Sequence, residues 1–114
     1  MSKQIKTFLE YQKKAHKTAV YPEDKALEYL TLGLVGEAGE LANKVKKIVR
    51  QDTQNIPFED LQDELGDVLW YMQELSSFIA PRIEDSLGYI AYRNIEKLKD
   101  RQKRGVIKGT GDKR

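Results

Sequence analysis

The chain contains no cysteine, which excludes disulfide frameworks, zinc–thiolate centres and thiol catalysis together. Its one histidine, His16, has Lys13 and not an acid three residues before it, so the E-x-x-H pairs of a carboxylate di-iron bundle are missing. Strand-like alternation of β-branched residues is nearly absent. No apolar run approaches membrane-spanning length. The polar start (Ser2, Lys3, Gln4, Lys6) lacks the apolar centre of a signal peptide. Neither sign of charge dominates: 20 basic and 18 acidic residues leave a net charge of +2. That balance gives no general argument for nucleic-acid binding, although basic residues collect in the last quarter. These absences together predict a cytoplasmic protein with neither a membrane nor a nucleic-acid partner.

At 114 residues the chain is long enough for one domain with a real core, and short enough to gain from self-association. Its three prolines, Pro22, Pro57 and Pro81, divide it into helix-sized pieces. Apolar spacing predicts helices over about 3–19, 25–50, 58–79 and 83–103, with Asp24 as an N-cap and a polar loop over 51–57. The fold class is all-α, an antiparallel helical bundle of about four helices. Residues 1–104 form the domain, and 105–114 form a flexible, basic, glycine-containing tail. Gly33, Gly36 and Gly39 fall inside the longest helix, each costing about 1 kcal/mol relative to alanine. Either the helix breaks there, or absent side chains admit another helix or a ligand to the backbone.

What is present in unusual places is acid. Glu37 and Glu40 lie in the second predicted helix, Glu64 and Asp67 in the third. Each pair has i, i+3 spacing and projects from one side of its helix. The face around Glu37 carries Leu30, Leu34, Leu41, Val45 and Ile48, and that around Glu64 carries Leu61, Val68, Met72 and Leu75. Two acidic pairs therefore interrupt two stripes that should face a core. A carboxylate buried without a partner is too costly to persist, and a hard divalent cation with oxygen ligands is the economical partner. Packed antiparallel, the two helices bring all four acids to one pocket, with Asp60 one turn away.

The run from Gly33 to Leu41 (GLVGEAGEL), followed by Asp63 to Tyr71 (DELGDVLWY), resembles the MazG-like branch of the all-α nucleoside triphosphate pyrophosphohydrolases, whose signature is E-x-x-E, a loop, then E-x-x-D. The run Asn94 to Arg101 with Gly105 beyond, and Val20-Tyr21-Pro22 before the second helix, are also similar to that family. One departure is Gly36, where many members carry a further glutamate, and this bears on the number of ions bound. The resemblance implies magnesium-dependent hydrolysis of a standard or modified nucleoside triphosphate, a deoxynucleotide included, to the monophosphate and pyrophosphate, with manganese able to substitute. It implies Glu37, Glu40, Glu64 and Asp67 as metal ligands, with Glu37 or Glu40 also activating water. Size and resemblance together imply a homodimer or homotetramer.

A triphosphate needs more positive charge than one ion supplies. Lys44 lies one turn after Glu40, as a phosphate contact or as an i, i+4 partner of Glu40. Asn94, Lys97 and Arg101 share one face of the last helix, and the resemblance favours phosphate binding by them. Phe8, Tyr11, His16, Trp70 and Tyr71 offer faces for a nucleobase, but core or interface packing is the commoner use of such residues. Trp70 points well away from the Glu64 direction, which suggests a subunit contact. Two other readings stand beside this one. One is a specialised enzyme of the same superfamily, such as a phosphoribosyl-ATP pyrophosphohydrolase. The other is a non-enzymatic helical module with a basic C-terminus.

Overall fold

The computed structural model describes residues 3–51, 57–109 and 111. Four α-helices and no strand appear among them: α1 (Phe8–His16), α2 (Ala26–Gln51), α3 (Phe58–Ile79) and α4 (Ser86–Arg104). Most of the polar loop expected over 51–57, and residues 110 and 112–114 of the expected tail, lie outside the described residues.

Local chemistry sets the helix ends. Thr7 caps α1, its Oγ1 accepting from Glu10 N at 3.0 Å, while the Glu10 carboxylate accepts from Lys6 N at 3.1 Å. Those reciprocal bonds satisfy first-turn amides, so α1 begins five residues later than the apolar spacing suggested. Asp24 is not an α-helix cap; it sits in a 3-10 turn, Glu23–Lys25, that leads into α2. α4 likewise begins later than expected, because Asp85 caps it by accepting from Gly88 N at 3.0 Å. At its other end Gly105 adopts φ 75°, and Val106 N bonds Arg101 O at 2.9 Å. A left-handed residue there closes the last carbonyls at no steric cost to glycine.

α2 and α3 form a long hairpin. Gly33 meets Tyr71 and Lys44 meets Glu64, so the register runs antiparallel. α2 runs unbroken through its three glycines. A methyl group at Gly33 would fall into the Tyr71 ring, so this glycine is what lets that ring lie against the helix; Gly36 and Gly39 face open space. α1 and α4 pack on α3 and on each other, whereas the backbone of α2 approaches neither. One chain therefore does not close a four-helix bundle. Its radius of gyration, 16.9 Å, exceeds the roughly 13 Å of a compact domain this size.

The interior is correspondingly unusual. The buried apolar residues are Ala15, Ala26, Leu30 and Leu87, while Gln12, Gln73, Glu74, Ser76, Ser86 and Arg101 are buried as well. Gln12 is the hub where α1, α3 and α4 meet. Its Nε2 donates to Ser86 Oγ (2.8 Å) and Ser77 Oγ (3.2 Å), and its Oε1 accepts from Leu87 N (3.1 Å). Ser76 and Ser86 hydroxyls pair at 2.9 Å. Of the two stripes expected around the acids, Leu30 is fully buried, but Val45 and Met72 are exposed by 42% each. Leu32 (71%), Val35 (64%), Phe58 (64%) and Leu65 (57%) also stand in solvent. No described helix is long and apolar enough to cross a membrane.

Candidate active site

Helical spacing brings the acids together. Glu64 and Asp67 point from α3 toward α2, where Glu37 faces them across the hairpin. One carboxylate oxygen from each of Glu37, Glu64 and Asp67 lies within 4.8 Å of the other two. Glu40, one turn from Glu37, is exposed and outside this triad. Its charge still acts on Glu37, whose carboxyl is held above the usual carboxylate value. Burial is the main cause, followed by a hydrogen bond with Glu64 and the charges of Asp67, Glu64 and Glu40.

Two details show what the cluster calls for. Lys44 Nζ sits 3.0 Å from Glu64 Oε1, an ion pair across the hairpin that replaces the expected i, i+4 pairing with Glu40. The other oxygen, Glu64 Oε2, is buried without a hydrogen-bond partner. A buried carboxylate oxygen without a donor is costly. A water, a proton shared with a neighbouring carboxyl, or a cation can satisfy it, and the two further acids beside it favour a positive partner. Three hard oxygens converging in this way fit a divalent ion of the magnesium class.

The triad opens on a pocket of about 330 Å³ lined by Thr18, Glu37, Asp67, Trp70 and Tyr71. Trp70 therefore belongs to the rim of this pocket; its direction is set by Asp67, three residues earlier, more than by Glu64. Its Nε1 donates to Thr18 Oγ1 at 2.8 Å. From it a run of aromatic rings extends inward. Trp70 meets Tyr71 edge-on at 5.1 Å, Tyr71 lies 6.4 Å from Tyr29, and Tyr29 stacks on Tyr21 at 5.8 Å. Tyr21 in turn donates to the buried Glu74 at 2.7 Å. Burial and that bond push the Tyr21 phenol up to about 12.

Lys44 reaches the triad, whereas the phosphate residues predicted on α4 stand apart from it. Asn94 and Lys97 line a separate pocket of about 400 Å³ with Ile90 and Arg93. Arg101 is buried, 3% exposed, with Nη2 3.5 Å from Gly111 O. Of the aromatic candidates, Phe8 and Tyr11 line another pocket with Ile5 and Leu69, and His16 pairs with Glu74 at 3.0 Å.

Sequence reasoning passed over Thr18, Tyr29 and Glu74. For Glu74 a signal was available: Glu64, Asp67, Tyr71 and Glu74 continue one face of α3 at i, i+3, i+7 and i+10. Nothing in the sequence singled out Thr18.

The model of the MazG nucleotide pyrophosphohydrolase domain matches residues 25–106, the span that carries the acidic hairpin and α4. The chain belongs to the MazG family. Within the matched span lie Glu37, Glu64 and Asp67, and also Glu40, Lys44, Asn94, Lys97 and Arg101. Thr18, which lines the pocket from the α1 side, precedes it. The chain is similar to Gene 37 protein of Mycobacterium phage L5, with 47% identity over 113 residues that cover 91% of this chain and 96% of that protein. No solved structure matches the chain.

Proposed function

We propose that this MazG domain hydrolyses a nucleoside triphosphate to the monophosphate and pyrophosphate in a magnesium-dependent reaction. The observation that carries the reading is the Glu37–Glu64–Asp67 triad, with its unsatisfied Glu64 oxygen, opening on an aromatic-walled pocket. Glu37, Glu64 and Asp67 would hold the ion, with Glu40, one turn from Glu37, as the fourth ligand of the proposed set. The bound ion supplies neutralisation of phosphate charge and a lowered pKa for bound water.

The chain's own groups do the rest. Water attacks the α-phosphorus, its proton passes to a carboxylate, and the α–β bridging oxygen leaves with pyrophosphate. Glu37 or Glu40 takes the proton-accepting role, since a carboxylate beside the attacking water can serve as its general base. Trp70 and Tyr71 border the space beside the acids, where a base or sugar can pack. Lys44 is bonded to Glu64 in the ion-free arrangement; once a cation takes over that carboxylate, its ammonium is released toward phosphate oxygens. Asn94, Lys97 and Arg101 stand apart from the triad within one chain, and would serve the phosphates where a second copy carries its α4 to the acids.

The reading includes self-association, as a homodimer or homotetramer. An open hairpin with Leu32, Val35, Phe58 and Leu65 in solvent buries too little apolar surface alone. A second copy laid on these faces would supply the missing layer. The decisive test is a screen of ribo-, deoxyribo- and modified nucleotides with and without magnesium or manganese, reading pyrophosphate release. Metal-dependent release from at least one nucleotide is expected, and silence across the whole set would remove the enzyme assignment.

A further inference from the structure

Glu74 is the most deeply buried charged side chain described, 1% exposed, and the proposed hydrolysis makes no direct use of it. Its oxygens are heavily engaged. Tyr21 donates to Oε1 at 2.7 Å and Gln73 Nε2 to Oε2 at 2.9 Å, while His16 Nδ1 lies 3.2 and 3.0 Å from the two. An ionised carboxylate only accepts, so the proton in the His16 contact sits on Nδ1. Two of the donors are informative by position. His16 is the last residue of α1, and Tyr21 lies just before the turn that leads into α2. Glu74, on α3, therefore pins the segment that leaves α1 at its start, His16, and again at Tyr21, midway to α2.

Between the two pins sits Thr18. Its hydroxyl donates to Ala15 O at 2.7 Å and accepts from Trp70 Nε1 at 2.8 Å, and its side chain lines the pocket with Glu37 and Asp67. Tyr21 is held in the stack on Tyr29. The backbones of α1 and α2 do not pack on one another, and Glu74 of α3 bonds both the end of α1, at His16, and the segment beyond Thr18, at Tyr21.

We propose that Glu74 is a positioning residue of the acidic pocket: through His16 and Tyr21 it holds the segment that carries Thr18, whose side chain is the wall against which the nucleoside part of the substrate rests. The role in substrate binding rests on the function proposed above; the role in placing the wall does not. Glu74 touches no reacting atom in this scheme, so its loss should weaken binding and leave the chemical step intact.

Trp70 is the only tryptophan in the chain and bonds to the wall directly, so its fluorescence reports wall position without any nucleotide. Tyr21→Phe removes one hydroxyl and keeps the ring and the fold; Glu74→Gln keeps an acceptor for Tyr21; Glu74→Ala removes both pins. In nucleotide-free protein, Trp70 should become more accessible to acrylamide in Tyr21→Phe and more so in Glu74→Ala, with Glu74→Gln between that variant and wild type. For the best nucleotide, KM should rise about fivefold in Tyr21→Phe, the scale of one lost hydrogen bond, with kcat within about twofold. Adding Tyr21→Phe to Glu74→Ala should raise KM no further. Unchanged Trp70 quenching in Tyr21→Phe and Glu74→Gln overturns the proposal. So does a fall in kcat that tracks lost helicity at constant KM. If wild-type protein turns over no nucleotide, the proposed function falls, and the quenching series still decides whether Glu74 places the wall.

Discussion

Lys44 on α2 reaches Glu64 on α3 with Nζ 3.0 Å from Oε1, the oxygen beside the one that has no partner. The lysine neutralises half of a carboxylate whose remainder awaits something else. A cation entering the triad therefore competes with Lys44 for Glu64. The lysine's raised proton affinity, caused first by this hydrogen bond, keeps it charged throughout.

Lys44→Met should accordingly lower the melting temperature of metal-free protein, since the three acids lose the ammonium that reaches Glu64 across the hairpin. Magnesium should restore more of the loss in the variant than it adds to wild type. Scanning calorimetry with and without magnesium checks this; an equal magnesium increment in both proteins would show that Lys44 does not share Glu64 with the ion.

Asp67→Asn and Glu37→Gln should each lower turnover at least about 100-fold, the usual loss when a charge-stabilising group is removed from a reacting site. The same substitutions should raise the melting temperature of metal-free protein, because each relieves like-charge crowding within 4.8 Å. Activity lost with stability gained is the signature of a site under functional strain. Activity lost together with stability would mark these acids as structural.

The Glu37 shift has a definite sign in stability. Its folded proton affinity is above the ordinary value of 4.5, so in the window just above that value the folded chain holds more protons than the unfolded one. Stability of metal-free protein must then fall as pH rises through the window. Glu10 works the other way: held down by the Lys6 amide and Lys14, its contribution is lost as pH falls. Glu37→Gln isolates the first effect. Melting curves against pH should show the decline in wild type, little of it in Glu37→Gln, and little in wild type saturated with magnesium.

Much of this was legible beforehand. α3 runs over the predicted span, and α2 is shifted by one residue, because Pro57 and the acidic first turn are strong local signals. The convergence of Glu37, Glu64 and Asp67 followed from helical period once the two helices were taken as antiparallel, whereas Glu40, expected with them, stands outside the triad. The polar centre was hidden, because Gln12, Ser76 and Ser86 look like surface residues until three helices meet on them. So was the separation of α4 from α2: spacing gives a helix its faces but not its neighbours. Glu74 escaped for the same reason, as its partners His16 and Tyr21 lie 58 and 53 residues away.

The glycines of α2 separate the fold of one chain from its assembly. At Gly33 an added methyl group meets the Tyr71 ring, and overpacking of that kind costs about 1–3 kcal/mol. Gly33→Ala should therefore destabilise the protein and disturb the pocket that Tyr71 lines. At Gly39 nothing lies within 4 Å of the added methyl group, so helix propensity alone gives alanine a gain of up to about 1 kcal/mol. That holds only for an isolated chain. Gly39 shares an exposed face of α2 with Leu32, Val35 and Ala42, and a second copy packed on that face would need the glycine's slenderness. Sedimentation and thermal melting of Gly39→Ala give opposite answers in the two cases. A more stable protein of unchanged mass leaves this face free, whereas a shift toward monomer with a lower melting temperature puts the interface there. The exposed Leu32 and Val35 beside it make the second outcome the expected one.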